Sequence, residues 1–190
     1  MFKKFAMLFC GVCTIVAVTS CGGGDLGGGV GEFTTVNATA VSTTGTLESD
    51  ILTGNTCSDT GSTGGTIESD YVDVDFTSTA QFSTGALDLV ISKITIQYRP
   101  KNSTTPDIPD YFVNTAQTVQ PGSTVTIPVP VLTRGQKMDL LTRTTLPMPV
   151  CSATNFLYYV DIIFEVSEPG GNGKVRSVTA KMDLDVADSI

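Results

Sequence analysis

The feature that most constrains this chain is a pair of long alternating runs near its C-terminal end. Phe156, Tyr158, Val160, Ile162, Phe164 and Val166 occupy every second position. After Glu168-Pro169-Gly170-Gly171-Asn172-Gly173 the alternation returns as Val178, Ala180, Met182, Leu184 and Val186, with Thr179, Lys181, Asp183 and Asp185 between. Successive side chains of a strand point to opposite faces, so this period predicts extended backbone with one dry face. Two such runs joined by a Gly/Asn/Pro loop predict an antiparallel pair.

Most of the chain after residue 32 reads similarly. Thr, Val, Ile and Ser dominate, and these suit a pleated, half-buried surface. Residues 33–44 are expected to form a first strand, ended by Gly45. Over 70–82, Val72, Val74 and Phe76 alternate with Asp73 and Asp75, which predicts a strand with one wet face. Residues 87–98 carry Leu89, Val90, Ile91, Ile94 and Ile96 and are expected to lie centrally. The stretch 99–110, with Pro100, Pro106 and Pro109, reads as a long exposed loop. Residues 111–119 and 124–132 are the next two strands, separated by a Pro121-Gly122 turn. Pro128 and Pro130 cannot donate ladder hydrogen bonds, which places the second of these at a sheet edge.

Thr133 followed by Gln136 fits a capping box and predicts a short helix near 133–142, with Met138 and Leu141 facing inward. Gly45-Thr46-Leu47-Glu48-Ser49-Asp50 recurs as Gly65-Thr66-Ile67-Glu68-Ser69-Asp70. Two copies are too few for a solenoid. The expected fold is all-β, an antiparallel two-sheet β-sandwich of about eight or nine strands spanning 33–190. In pattern it resembles immunoglobulin-like and fibronectin-like domains, without the Trp of antibody-type domains. That resemblance transfers no functional residue.

The other end of the chain carries an address. Lys3 and Lys4 precede an apolar run from Phe5 to Val18. Such a run is too short to span a bilayer, which takes about 20 residues, and suits a secretory signal. Its end, Val18-Thr19-Ser20-Cys21, resembles the lipobox of bacterial lipoproteins. The resemblance implies cleavage before Cys21, lipid on its sulfur and an acylated amino end. Gly22, in place of Asp, implies the outer membrane by the same resemblance. Gly22-Gly23-Gly24-Asp25-Leu26-Gly27-Gly28-Gly29 then reads as a flexible tether. The expected organisation is a signal over 1–20, a lipidated Cys21 with its tether over 21–32, and the sandwich.

Charge divides the chain. Residues 22–92 hold ten acidic side chains and no Lys or Arg, whereas 93–190 hold nine of each sign. An acidic balance of this kind argues against a nucleic-acid partner, whose phosphates need basic patches. Asp73 and Asp75 share the wet face of their strand, and relief of their repulsion is expected from Lys93, Arg99 or Lys101, with a basic partner as the second alternative and a divalent cation as the third. Of five cysteines, Cys10 and Cys13 leave with the signal and Cys21 takes lipid. Cys57 and Cys151 remain as a pair in an oxidising compartment and are expected to be bonded.

Catalytic signals are sparse. The chain has no histidine, which removes Ser-His-Asp and Cys-His catalysis and histidine-ligated zinc. Gly-x-Ser-x-Gly is absent, and Gly170-Gly171-Asn172-Gly173-Lys174 lacks the upstream Gly and following Ser or Thr of a phosphate loop. No cofactor is expected beyond the lipid, with one weak candidate, calcium. Glu48, Asp50, Asp59, Glu68, Asp70, Asp73 and Asp75 could supply its oxygen ligands if loops gathered them. The expected function is a non-enzymatic outer-membrane lipoprotein, an interaction or structural module of the cell envelope. Its expected contacts are the membrane, through the lipid, and an envelope protein. Two rivals are a calcium-dependent adhesion module and a carboxylate-based envelope hydrolase.

Overall fold

The computed structural model describes residues 31–58 and 61–188. Cys21, the signal, most of the tether and Asp59 lie outside the described residues.

The strands are β1 (Gly31–Glu32), β2 (Val36–Ser42), β3 (Thr46–Asp50), β4 (Thr53–Ser58), β5 (Gly61–Thr66), β6 (Asp70–Ala80), β7 (Leu89–Pro100), β8 (Tyr111–Val119), β9 (Thr124–Leu132), β10 (Ser152–Ser167) and β11 (Arg176–Asp188). A helix, α1 (Arg134–Thr142), sits between β9 and β10. A four-stranded sheet runs β1-β2-β6-β9, a five-stranded sheet β3-β11-β10-β7-β8, and β4 with β5 forms a separate hairpin. The all-β sandwich expected from alternation is present. Its two sheets hold nine strands, within the expected eight or nine, and the hairpin 53–66, which lacks hydrophobic patterning, lies outside them. Among the described residues all pairings are antiparallel but one: β3 lies parallel to β11, with Leu47 opposite Leu184.

The two sheets meet through their dry faces. Val72, Val74 and Phe76 of β6 face the inward residues of β10 and β11, all buried. The Phe76 and Phe164 rings stand 5.4 Å apart and tilted by 60°, a geometry worth about 0.5–1.5 kcal/mol beyond burial. β10 pairs with β11 from Phe156↔Val186 to Val166↔Arg176, as the alternation requires. β7 is internal, between β10 and β8, and proline-bearing β9 ends its sheet.

Two expectations change. The chain between β7 and β8 is not wholly exposed: Thr105, Pro106 and Ile108 are buried. The Tyr158 hydroxyl donates to the Pro106 carbonyl at 2.8 Å, and Leu157 N–H donates to Thr105 Oγ1 at 3.3 Å. The capping box of Thr133 and Gln136 forms, but the helix is rotated by one position from the expected face. Lys137 and Leu140 are buried, while Met138 is 41% exposed and Leu141 only half-buried.

Candidate functional site

Three buried polar clusters stand out, and each ties together segments distant in sequence. The first explains the rotation of α1. Lys137 is fully buried, and its Nζ donates to the Asp50 carbonyl at 2.7 Å and to Asp70 Oδ1 at 3.0 Å. Asp70 Oδ2 lies 2.9 Å from the same nitrogen and accepts a short hydrogen bond from Ser49 Oγ. Ser69 Oγ accepts the Arg134 N–H at 2.9 Å. Both copies of Glu-Ser-Asp therefore converge on α1, each through its Ser and Asp. A buried ammonium is tolerated only when paired and hydrogen-bonded. That requirement outweighs the small gain from burying Met138.

The second cluster surrounds the disulfide. Cys57 and Cys151 are bonded, with Cα atoms 5.4 Å apart, as expected. Cys151 has φ +53°, in the left-handed region that costs a non-glycine residue strain. Its N–H donates to Asp188 Oδ2. Asp188 is buried and also accepts from Asn55 Nδ2 at 3.0 and 3.1 Å. The β4–β5 hairpin, poor in apolar residues, is thus held by a covalent bond and a buried carboxylate.

The third cluster closes the other end of β10. Glu168 is buried and accepts from Thr34 N–H at 2.8 Å, from Thr35 N–H at 3.1 Å and from the Thr35 hydroxyl. Thr35 Oγ1 in turn accepts from Leu87 N–H at 2.9 Å. Burial pushes the Glu168 carboxyl up, but the bonds from Thr35 and Thr34 outweigh it and hold the group below its ordinary value. Nearer α1, burial pushes the Tyr98 hydroxyl up to about 12, and this hydroxyl donates to the Val131 carbonyl at 2.6 Å across the two sheets.

The six described calcium candidates do not assemble. Asp70 is committed to Lys137 and Ser49. Asp75 accepts from Thr126 Oγ1 at 2.7 Å, and Asp73 faces outward on the same side, as strand register requires. Glu48 and Glu68 are exposed, and Asp50 is half-exposed. Among the described residues the group of three possible metal ligands within reach of one another is Cys57, Cys151 and Asp188. Its two sulfurs are already bonded to each other.

The expected neutralisation of Asp73 and Asp75 does not occur. Lys93 and Arg99 lie on β7 of the other sheet and Lys101 directly follows it, and they pair with Glu165 at 3.1 Å, Asp161 at 2.8 Å and Asp183 at 2.8 Å. Lys93 also covers the Phe112 ring and Lys101 the Tyr159 ring, at 5.2 and 4.7 Å. Two shallow grooves open on the surface. One, of about 480 Å³, is lined by Leu87, Asp88 and Pro169 among others; one of about 520 Å³ has Glu68 and Arg134. Neither lining contains two carboxylates.

Lys137, Asp188, Glu168 and Asn55 escaped the sequence reading. For the two acids a signal existed: Glu168 and Asp188 continue the inward periodicity of their strands by one step each. Comparison with protein families, with curated proteins and with solved structures finds no match.

Proposed function

We propose that this chain is an outer-membrane lipoprotein, anchored by lipid on Cys21, whose β-sandwich is a non-enzymatic interaction or structural module of the cell envelope. The observation that carries this reading is the basic head, the apolar run and Val18-Thr19-Ser20-Cys21, followed at once by glycine-rich tether. Several acyl chains on one residue make anchoring stable where a single chain is marginal. The internal clusters support a scaffolding role. Lys137, Asp188 and Glu168 are each enclosed and hydrogen-bonded by the protein's own groups, which is what joining layers needs and what a reacting group must avoid.

Mass spectrometry of protein extracted from membranes tests the anchor. Cys21 is expected as the first residue, carrying acyl chains, and Cys21→Ser is expected to stay uncleaved or to be secreted without lipid. Wild-type protein recovered soluble, unlipidated and beginning elsewhere would overturn the reading.

A further inference from the structure

The ends of the two sheets are not alike. β9 carries Pro128 and Pro130, β1 is two residues long, and β3 is five residues long with Glu48 and Asp50. Prolines, shortness, charge and bulges are the usual means by which a sheet end is kept from pairing with another chain. β8 has none of the first three; its one irregularity is a register shift against β7, where Thr115 and Ala116 lie between the pairs Ile91↔Gln117 and Lys93↔Asn114. It ends the five-stranded sheet with nine residues, Tyr-Phe-Val-Asn-Thr-Ala-Gln-Thr-Val, without proline or charge. Its middle is open to solvent, and Phe112 is 56% exposed.

We propose that β8 is a pairing edge and that its partner is β8 of a second copy of this chain. This deepens the reading of the domain as an interaction module by naming its partner. The strand is self-complementary when laid antiparallel to itself about Thr115. On one face Tyr111 then meets Val119, Val113 meets Gln117, and Thr115 meets its own counterpart. On the other face Phe112 meets Thr118 and Asn114 meets Ala116. Aromatic–β-branched and Thr–Thr neighbours are favourable cross-strand pairs, and no like charges come opposite each other.

Charge also selects this edge among those available. β8 lies in the half of the chain with nine residues of each sign. An approach through β3 would bring Glu48 and Asp50 of two copies together. The resulting sheet would have ten strands, within the usual limit of about ten. The two-fold axis runs normal to that sheet, so the four-stranded layers of both copies lie on one side. β1, where the described chain begins, belongs to that layer in each copy. Both tethers can therefore leave toward one membrane.

Sedimentation equilibrium of the full-length chain in mild detergent tests the proposal. The wild type is expected to dimerise. Thr115→Lys and Thr115→Glu, each placing like charges at the axis, are expected to weaken the dimer by about ten-fold or more. An equimolar mixture of the two is expected to restore it. As an independent readout, oxidised Thr115→Cys should crosslink to itself, since opposed strand residues fall within disulfide reach. Phe82→Cys, exposed elsewhere, should not. A wild type that stays monomeric at about 100 μM overturns the proposal, even if another protein is found to add a strand at β8. A dimer indifferent to both Thr115 charges overturns it as well. Neither result touches Cys21, whose lipid is read by mass, so failure of the anchor and failure of the dimer are distinguishable.

Discussion

Removing the carboxylate of Asp70 should cost more than removing the ammonium it pairs with. The Lys137 side chain is fully buried and that of Asp70 is 23% exposed. Asp70→Ala leaves a cation with the Asp50 carbonyl at 2.7 Å as its remaining acceptor, and it cannot reach water without moving α1. Breaking a buried pair in this way typically costs about 3–5 kcal/mol. Partial exposure of the pair on the Asp70 side places the expected loss near the lower end, about 3 kcal/mol. For a chain of this size that is a fall in melting temperature of about 6–12 °C. Lys137→Met keeps most of the buried stem and removes the charge. Asp70 then retains the Ser49 hydroxyl and its access to water, so a loss of about 1 kcal/mol is expected. Lys93→Ala, from a pair about one-third exposed on each side, should cost about 0–1 kcal/mol. Urea unfolding of the three variants gives the comparison. An Asp70→Ala loss below about 0.5 kcal/mol, or a larger loss for Lys137→Met, would refute the view of Lys137 as a charge dependent on Asp70.

Glu168 should leave a signature in acid. Its folded-state value is depressed, so its contribution is complete above the unfolded value of about 4.3 and is lost as pH falls through the folded one. Glu168→Gln should therefore flatten the decline of stability below about pH 4, read from melting temperature against pH; an unchanged slope would count against the cluster. Reducing Cys57–Cys151, separated by 94 positions, should remove up to about 4–5 kcal/mol in the chain-entropy model. The Asp188 carboxylate lies 3.9 Å from Cys57 Sγ and opposes a thiolate there, so Asp188→Asn should speed reduction, as a thiol-release assay would show.

Period and punctuation alone determined much of this protein. The β10–β11 pair, the bounds of β8 and β9, the proline-marked edge at β9 and the capping box of α1 all follow from local chemistry, because a strand or helix end needs only its own residues to declare itself. The Cys57–Cys151 bond followed from counting the thiols left once the expected signal and lipid had claimed the other three. The partners of the charged groups were decided only in three dimensions. Lys137 on a short helix has no local reason to face inward; it does so because β3 and β6 deliver an Asp50 carbonyl and an Asp70 carboxylate to one point. Lys93 could be placed on a strand from sequence, with Arg99 and Lys101 just past its expected end, but the sheet that strand joins selects Glu165, Asp161 and Asp183 as their partners. The hairpin 53–66 lacks an apolar face and exists by virtue of Cys151 and Asp188, 94 and more residues away. A hydrophobic period is written along one segment, whereas a hydrogen bond between segments depends on where the whole chain brings them.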